Sequence, residues 1–149
     1  MATVITENIL SPLGFTAQET LAAVKSGKSA LRHHESAQGV PFAFMTSQFS
    51  PEQTAALRVA GYTRFESLAI RSIQTALSNC NFDRRRAVLI VSSTKGNVED
   101  LLSFGNEPHV VSLGVAAQRI AGATGFSNSP IVVSNACISG VSAILLAQR

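Results

Sequence analysis

Two short runs constrain this chain more than anything else in it. Ala87-Val-Leu-Ile-Val91 and Ile131-Val-Val-Ser134 are apolar at consecutive positions rather than alternate ones. A strand that is apolar on both faces belongs inside a parallel sheet that is covered on two sides. Elsewhere the apolar residues recur at helical spacing. Residues 64–80 place Phe65, Leu68, Ala69, Ile73, Ala76, Leu77 and Cys80 on one face. Residues 112–121 do the same with Leu113, Ala116, Ala117 and Ile120. Strands alternating with helices predict an α/β fold, a sheet layered between helices (α-β-α), in one domain over residues 1–149.

Helix starts are marked by their capping chemistry. Thr16-Ala-Gln-Glu19 is a capping-box pattern, in which hydroxyl and carboxylate satisfy orphan backbone N–H groups, and its helix should end at Gly27. Ser50-Pro51-Glu52-Gln53 offers an N-cap, a proline at the first helical position and a glutamine at the third, for a helix stopping near Gly61. Thr63-Arg-Phe-Glu66 opens the long helix to residue 80. Residues 4–10 alternate loosely and predict a first strand, followed by a Ser11-Pro-Leu-Gly14 turn. Residues 28–49 show no strong period and read as a loop with one short strand near 42–45. Polar residues 81–86 and the Ser92-Ser-Thr-Lys-Gly96 segment are loops on either side of a strand.

Charge and composition exclude several classes. Only 14% of residues are charged, against roughly 25% in ordinary soluble domains. Such a surface is expected to be covered in part by more chain or a second subunit. The net charge is +3, with the positive residues scattered apart from Arg84-Arg85-Arg86. No basic stripe with interleaved aromatics is present, so nucleic-acid binding is not expected. The three arginines read as a solvated turn. The longest apolar stretch, residues 132–147, is broken by Ser, Asn and Gly and falls short of the roughly 20 residues of a membrane span. Two cysteines make no disulfide framework and no secretory signal opens the chain, which predicts a reducing, cytoplasmic setting. No metal-ligand spacing occurs, and Gly27-Lys28-Ser29 lacks both the upstream glycine and the strand that a phosphate loop requires.

Cys137 is the candidate catalytic residue. It follows a β-branched run directly and precedes Ser139-Gly140, small residues that open a helix. The thiolate is the nucleophilic form of cysteine, and the positive end of a helix dipole favours it. A strand-to-helix elbow also aims backbone N–H groups at a developing oxyanion. The competing reading is that Cys137 is a small apolar filler, as free cysteines often are. Cys80, on the apolar face of a helix, is assigned to the core.

Ser134-Asn-Ala-Cys-Ile-Ser-Gly140 resembles the active-site segment of the β-ketoacyl-acyl carrier protein synthases, condensing enzymes of the thiolase fold. Family members usually show Thr-Ala-Cys and then small residues and Gly here. Ile9-Leu-Ser-Pro-Leu-Gly14 is similar to the family's opening strand and turn, and Thr20-Leu-Ala-Ala-Val-Lys-Ser-Gly27 to its next helix. The long helix and the 87–96 strand and loop look like the elements before the family's dimer-facing segment. The likeness covers the whole chain, and the cysteine segment is its specific part. Asn135 in place of Thr, and the larger Ile138, depart from the pattern and put the substrate range in question. The retained cysteine sets the chain apart from the non-condensing chain-length-factor relatives.

The resemblance implies one half, the N-terminal one, of a thiolase-like fold, because family members run more than twice as far. It implies a decarboxylative Claisen condensation. An acyl group rests on the Cys137 thiol, and a malonyl-carrier thioester attacks it with loss of CO2. The implied partners are an acyl carrier protein, acyl and malonyl thioesters, and a second copy in a homodimer; no cofactor is implied. The family's two assisting residues, usually histidines, its lysine and a backbone oxyanion donor follow the cysteine. His33, His34 and His109 all precede it and read as loop or surface histidines. This chain alone is then expected not to condense. Two other readings stay open: a non-catalytic partner or scaffold subunit of a condensing complex, and an unrelated cysteine acyl hydrolase.

Overall fold

A computed structural model describes residues 3–37, 39–102 and 111–149. His109 lies outside the described residues. The described chain is mixed α/β. In order it forms α1 (Ala17–Lys25), β1 (Leu31–His34), β2 (Phe44–Ser47), α2 (Pro51–Leu57) and α3 (Arg64–Ala76). There follow β3 (Ile90–Ser92), α4 (Leu113–Thr124), β4 (Ile131–Val133) and α5 (Ser139–Ala147). Single 3₁₀ turns lie at Arg84–Arg86, Val98–Leu102 and Ala136–Ile138.

All three capping boxes form. Thr16 Oγ1 accepts from the Glu19 amide at 3.1 Å, and Glu19 Oε2 accepts from the Thr16 amide at 3.2 Å. Ser50 with Gln53, and Thr63 with Glu66, repeat the reciprocal pair. Two helices stop earlier than predicted. α2 ends at Leu57 because Arg58 turns extended, and α3 ends at Ala76 with Leu77 as its cap.

Residues 4–10 form no strand. A strand needs a neighbour to complete its ladder, and no described strand lies beside this segment. Side chains hold it instead: Thr6 Oγ1 donates to the Ala76 carbonyl at 2.6 Å, and Asn8 Nδ2 donates to Ser72 Oγ at 3.1 Å. Residues 28–49 contain more order than their sequence suggests. β1 and β2 pair antiparallel, with Leu31 opposite Ser47 and His34 opposite Phe44. Exposed side chains on both strands hid this hairpin from any apolar pattern.

The core lies between α3 and α4, with Leu57 of α2 joining Ile70, Ala116, Ala117, Ile120 and Ala121. The α4 face is the predicted one. The α3 face is rotated: its deepest residues are Glu66, Ser67 and Ile70, while Phe65, Leu68 and Ala69 are half-buried. Glu66 can be buried because its carboxylate is fully partnered. Arg119 Nε stands 3.0 Å from both oxygens, Asn97 Nδ2 donates at 3.2 Å and the Thr63 amide at 3.1 Å. Arg119 also donates to the Gly61 carbonyl and lies 4.9 Å from the Tyr62 ring centroid. A buried charge is tolerated only with such a set of partners.

β3 and β4 are parallel, with Ile90 opposite Ile131 and Ser92 opposite Val133. The pair has two strands of three residues, none of them buried, so the doubly covered α-β-α sheet expected from the apolar runs is not formed by the described residues. The Ile131 amide donates to the Leu89 carbonyl at 2.9 Å, and the Ser93 amide to the Val133 carbonyl at 3.2 Å. Helices α4 and α5 both pack on this pair. The accessible surface is 10264 Å². A compact monomer of this mass exposes about 7,300 Å², so the chain shows far more surface than its size requires. Val141, Ile144 and Leu145 of α5, each more than half exposed, contribute to that excess, and so do Val4 and Ile5. No helix among the described residues is long and apolar enough to cross a membrane.

Candidate nucleophile site

The C-terminal ends of parallel strands are where α/β sheets present reactive groups. β4 ends at Val133, and within four residues the chain reaches Cys137 in the 3₁₀ turn that feeds α5. Cys137 is exposed, whereas Cys80 is half-buried, its thiol 3.8 Å from the Ala76 carbonyl oxygen. Cys137 therefore takes no part in the core that the described chain forms by itself. The side chain is displayed.

The display depends on the backbone before it. Ala136 has φ +44°, and it is the non-glycine residue with positive φ among those described. An L-residue in that region is strained by about 1–2 kcal/mol, because Cβ crowds its carbonyl. Strain of this kind persists where the surroundings fix it. Here Ser139, itself buried, accepts a hydrogen bond from the Asn135 amide at 2.7 Å through Oγ and donates to the Ala136 carbonyl at 2.8 Å. Asn135 Nδ2 adds a longer bond to Ser142 Oγ at 3.4 Å. Neither the strained alanine nor the bridging serine stands out in the sequence. Ala is not a residue type that marks positive φ, and a serine opening a helix reads first as a cap.

Two amides beside Cys137 are not free for the oxyanion role expected of them. The Ile138 amide closes onto the Asn135 carbonyl at 3.1 Å, and the Ser139 amide onto the Ala136 carbonyl. These two amides hold the turn together and are committed to it. His33 and His34 do not gather here. His34 stacks on Phe44 with centroids 5.2 Å apart and its Nε2 lies 3.4 Å from Thr46 Oγ1, while His33 lies 3.4 Å from Glu35. All these partners belong to the β1–β2 hairpin or its end. Arg84 and Arg85 have partners of their own, the Thr124 carbonyl at the end of α4 at 2.7 Å and the neighbouring Asp83 at 3.0 Å.

A cleft of about 940 Å³ is lined by residues of α2 and the segments flanking it, of α3 and of the 98–102 turn, among them Phe49, Leu57, Arg58, Leu68 and Asp100. Cys137 does not line it, so volume alone points away from the chemistry. The exposed sulfur on a strained turn is the stronger indication. Among the described residues, no three of His, Cys, Asp and Glu gather as metal ligands would. No family model matches the chain, and no curated protein matches it.

Proposed function

We propose that this chain is the nucleophile-bearing half of a thiolase-like β-ketoacyl-acyl carrier protein synthase, and that Cys137 carries the acyl group. The observation that carries the reading is the exposed Cys137 at a strained elbow between a parallel strand and a helix. The Ser134–Gly140 segment, with its resemblance to the family's active site, supplies the chemistry. The Cys137 sulfur attacks the carbonyl of an acyl-carrier thioester. A tetrahedral oxyanion forms and collapses, the new C–S bond remains, and the carrier thiol leaves with the proton that the cysteine gave up. In the second step a malonyl-carrier thioester loses CO2. The electron pair of the broken C–C bond becomes an enolate, which attacks the Cys137 acyl carbonyl and releases the thiolate with a 3-oxoacyl product.

Only the first step is assigned to the residues of this chain. The exposed α5 face and the large surface fit a site completed by further protein; the family resemblance implies a second half that carries the assisting residues and, separately, a homodimer. The test is intact-mass analysis after incubation with an acyl-carrier thioester, beside a Cys137→Ala variant. An acyl adduct on the wild type alone supports the reading. No adduct on a folded chain removes it, and release of free acid from a simple ester would favour a hydrolase instead.

A further inference from the structure

We propose that Ser139 is the positioning residue of the cysteine site, the group that holds Ala136 in its left-handed conformation and so fixes where Cys137 points. The inference deepens the nucleophile reading above and rests on it for its biological meaning. Its physical basis is independent.

Two backbone residues decide the direction of the sulfur: Asn135, with φ −140° and ψ 55°, and Ala136, with φ +44°. The Ser139 hydroxyl bonds to both ends of this pair. It accepts from the Asn135 N–H on one side and donates to the Ala136 carbonyl on the other. One oxygen thus clamps the two peptide groups that bracket the Asn135–Ala136 pair, and the second of those peptides leads directly into Cys137. In the stretch from Ser134 to Arg149, Ser139 is the buried residue, 6% exposed, while Cys137 beside it is open. A hydroxyl that both donates and accepts in a buried place cannot be replaced by water without opening the turn. The Asn135–Ser142 bond is longer and exposed, and it bonds a side chain rather than the strained backbone.

If the clamp exists to hold a positive φ, glycine at 136 should make it dispensable, since glycine adopts that region without penalty. The full chain and its variants Ser139→Ala, Ala136→Gly, the double variant and Ser142→Ala are compared by iodoacetamide alkylation. The rate is read at the Cys137 peptide by mass spectrometry, and folding is checked by circular dichroism. Ser139→Ala is expected to change the Cys137 rate roughly tenfold, the factor that one lost hydrogen bond corresponds to. The double variant is expected to return to the rate of Ala136→Gly, and Ser142→Ala to match the wild type. Should Ser139→Ala fail to fold, recovery of a folded, alkylatable chain by Ala136→Gly supports the clamp equally. A wild-type rate in Ser139→Ala overturns the proposal, as does a double variant that is not rescued. Alkylation needs no acyl donor. A wild type that never loads an acyl group would end the synthase reading while the Ser139 comparison still decides its own question.

Discussion

Replacing Arg119 by methionine removes the cation that partners buried Glu66, together with its bond to the Gly61 carbonyl and its contact with the Tyr62 ring. Glu66 is 1% exposed, whereas the side chain of Arg119 is 43% exposed. Breaking a fully buried pair by removing one partner costs about 3–5 kcal/mol, while an exposed pair contributes about 0–1 kcal/mol. This contact lies between those limits, because the anion is enclosed and the cation reaches water. The carboxylate also keeps two donors, Asn97 Nδ2 and the Thr63 amide. Methionine retains much of the aliphatic stem. Arg119→Met is therefore expected to cost about 2–3 kcal/mol, which for a chain of this size lowers the melting temperature by about 5–10 °C. Glu66→Gln should cost less, about 1–2 kcal/mol, because the guanidinium it leaves can turn to solvent. Urea unfolding followed by circular dichroism gives both values. The reasoning fails if Arg119→Met stays within about 1 kcal/mol of the wild type, or if Glu66→Gln proves the more damaging change.

Gly96→Ala should destabilise the chain by about 1–3 kcal/mol; φ is +57°, and a new Cβ would lie 2.6 Å from Leu113 Cδ2. A melting temperature equal to the wild type would contradict it. Asp83 is held below its ordinary value of 3.8 by the Arg85 side chain and then by the Arg85 amide. A folded-state value below the unfolded one adds stability that is present above the unfolded value and lost as pH falls through the folded one. The wild type should thus outlast Asp83→Asn slightly at neutral pH, and the two should converge in acid; urea midpoints at both ends of the range test this, and a constant gap would refute it. Val141→Lys with Leu145→Glu should cut binding of an apolar dye and any concentration-dependent self-association on gel filtration, since both side chains are more than half exposed. Unchanged dye binding would show that this face is not the apolar surface the dye reads.

Features whose causes are local were legible in the sequence. Each capping box needs only a hydroxyl and an acid or amide three residues on, and all three form as spaced. The two-sided apolar runs signalled a parallel pair but not its exposure, since burial of both faces depends on what packs against them. The core face of α3 differs from the apolar pattern because spacing has no means of registering a buried carboxylate whose partners, Asn97 and Arg119, are 31 and 53 residues away. Residues 4–10 carry strand-like side chains but no described partner, and a strand is a property of two segments. The cysteine itself was visible at once. Its exposure and the strained residue before it were not, because both depend on how β4, Ser139 and the start of α5 come together.

The turn that displays Cys137 is anchored to a pairing between residues 41 apart, Ile90 with Ile131. It is therefore not a local unit that could keep its form once the strands separate. A fluctuation that unzips β4 from β3 would free the elbow from its anchor while leaving the helical signal of α1 to α4 almost untouched. Spectroscopic helicity is a poor witness to the state of this site. Protection of the Ile131 and Ser93 amides from solvent exchange is the faithful one, since both donate across that pairing.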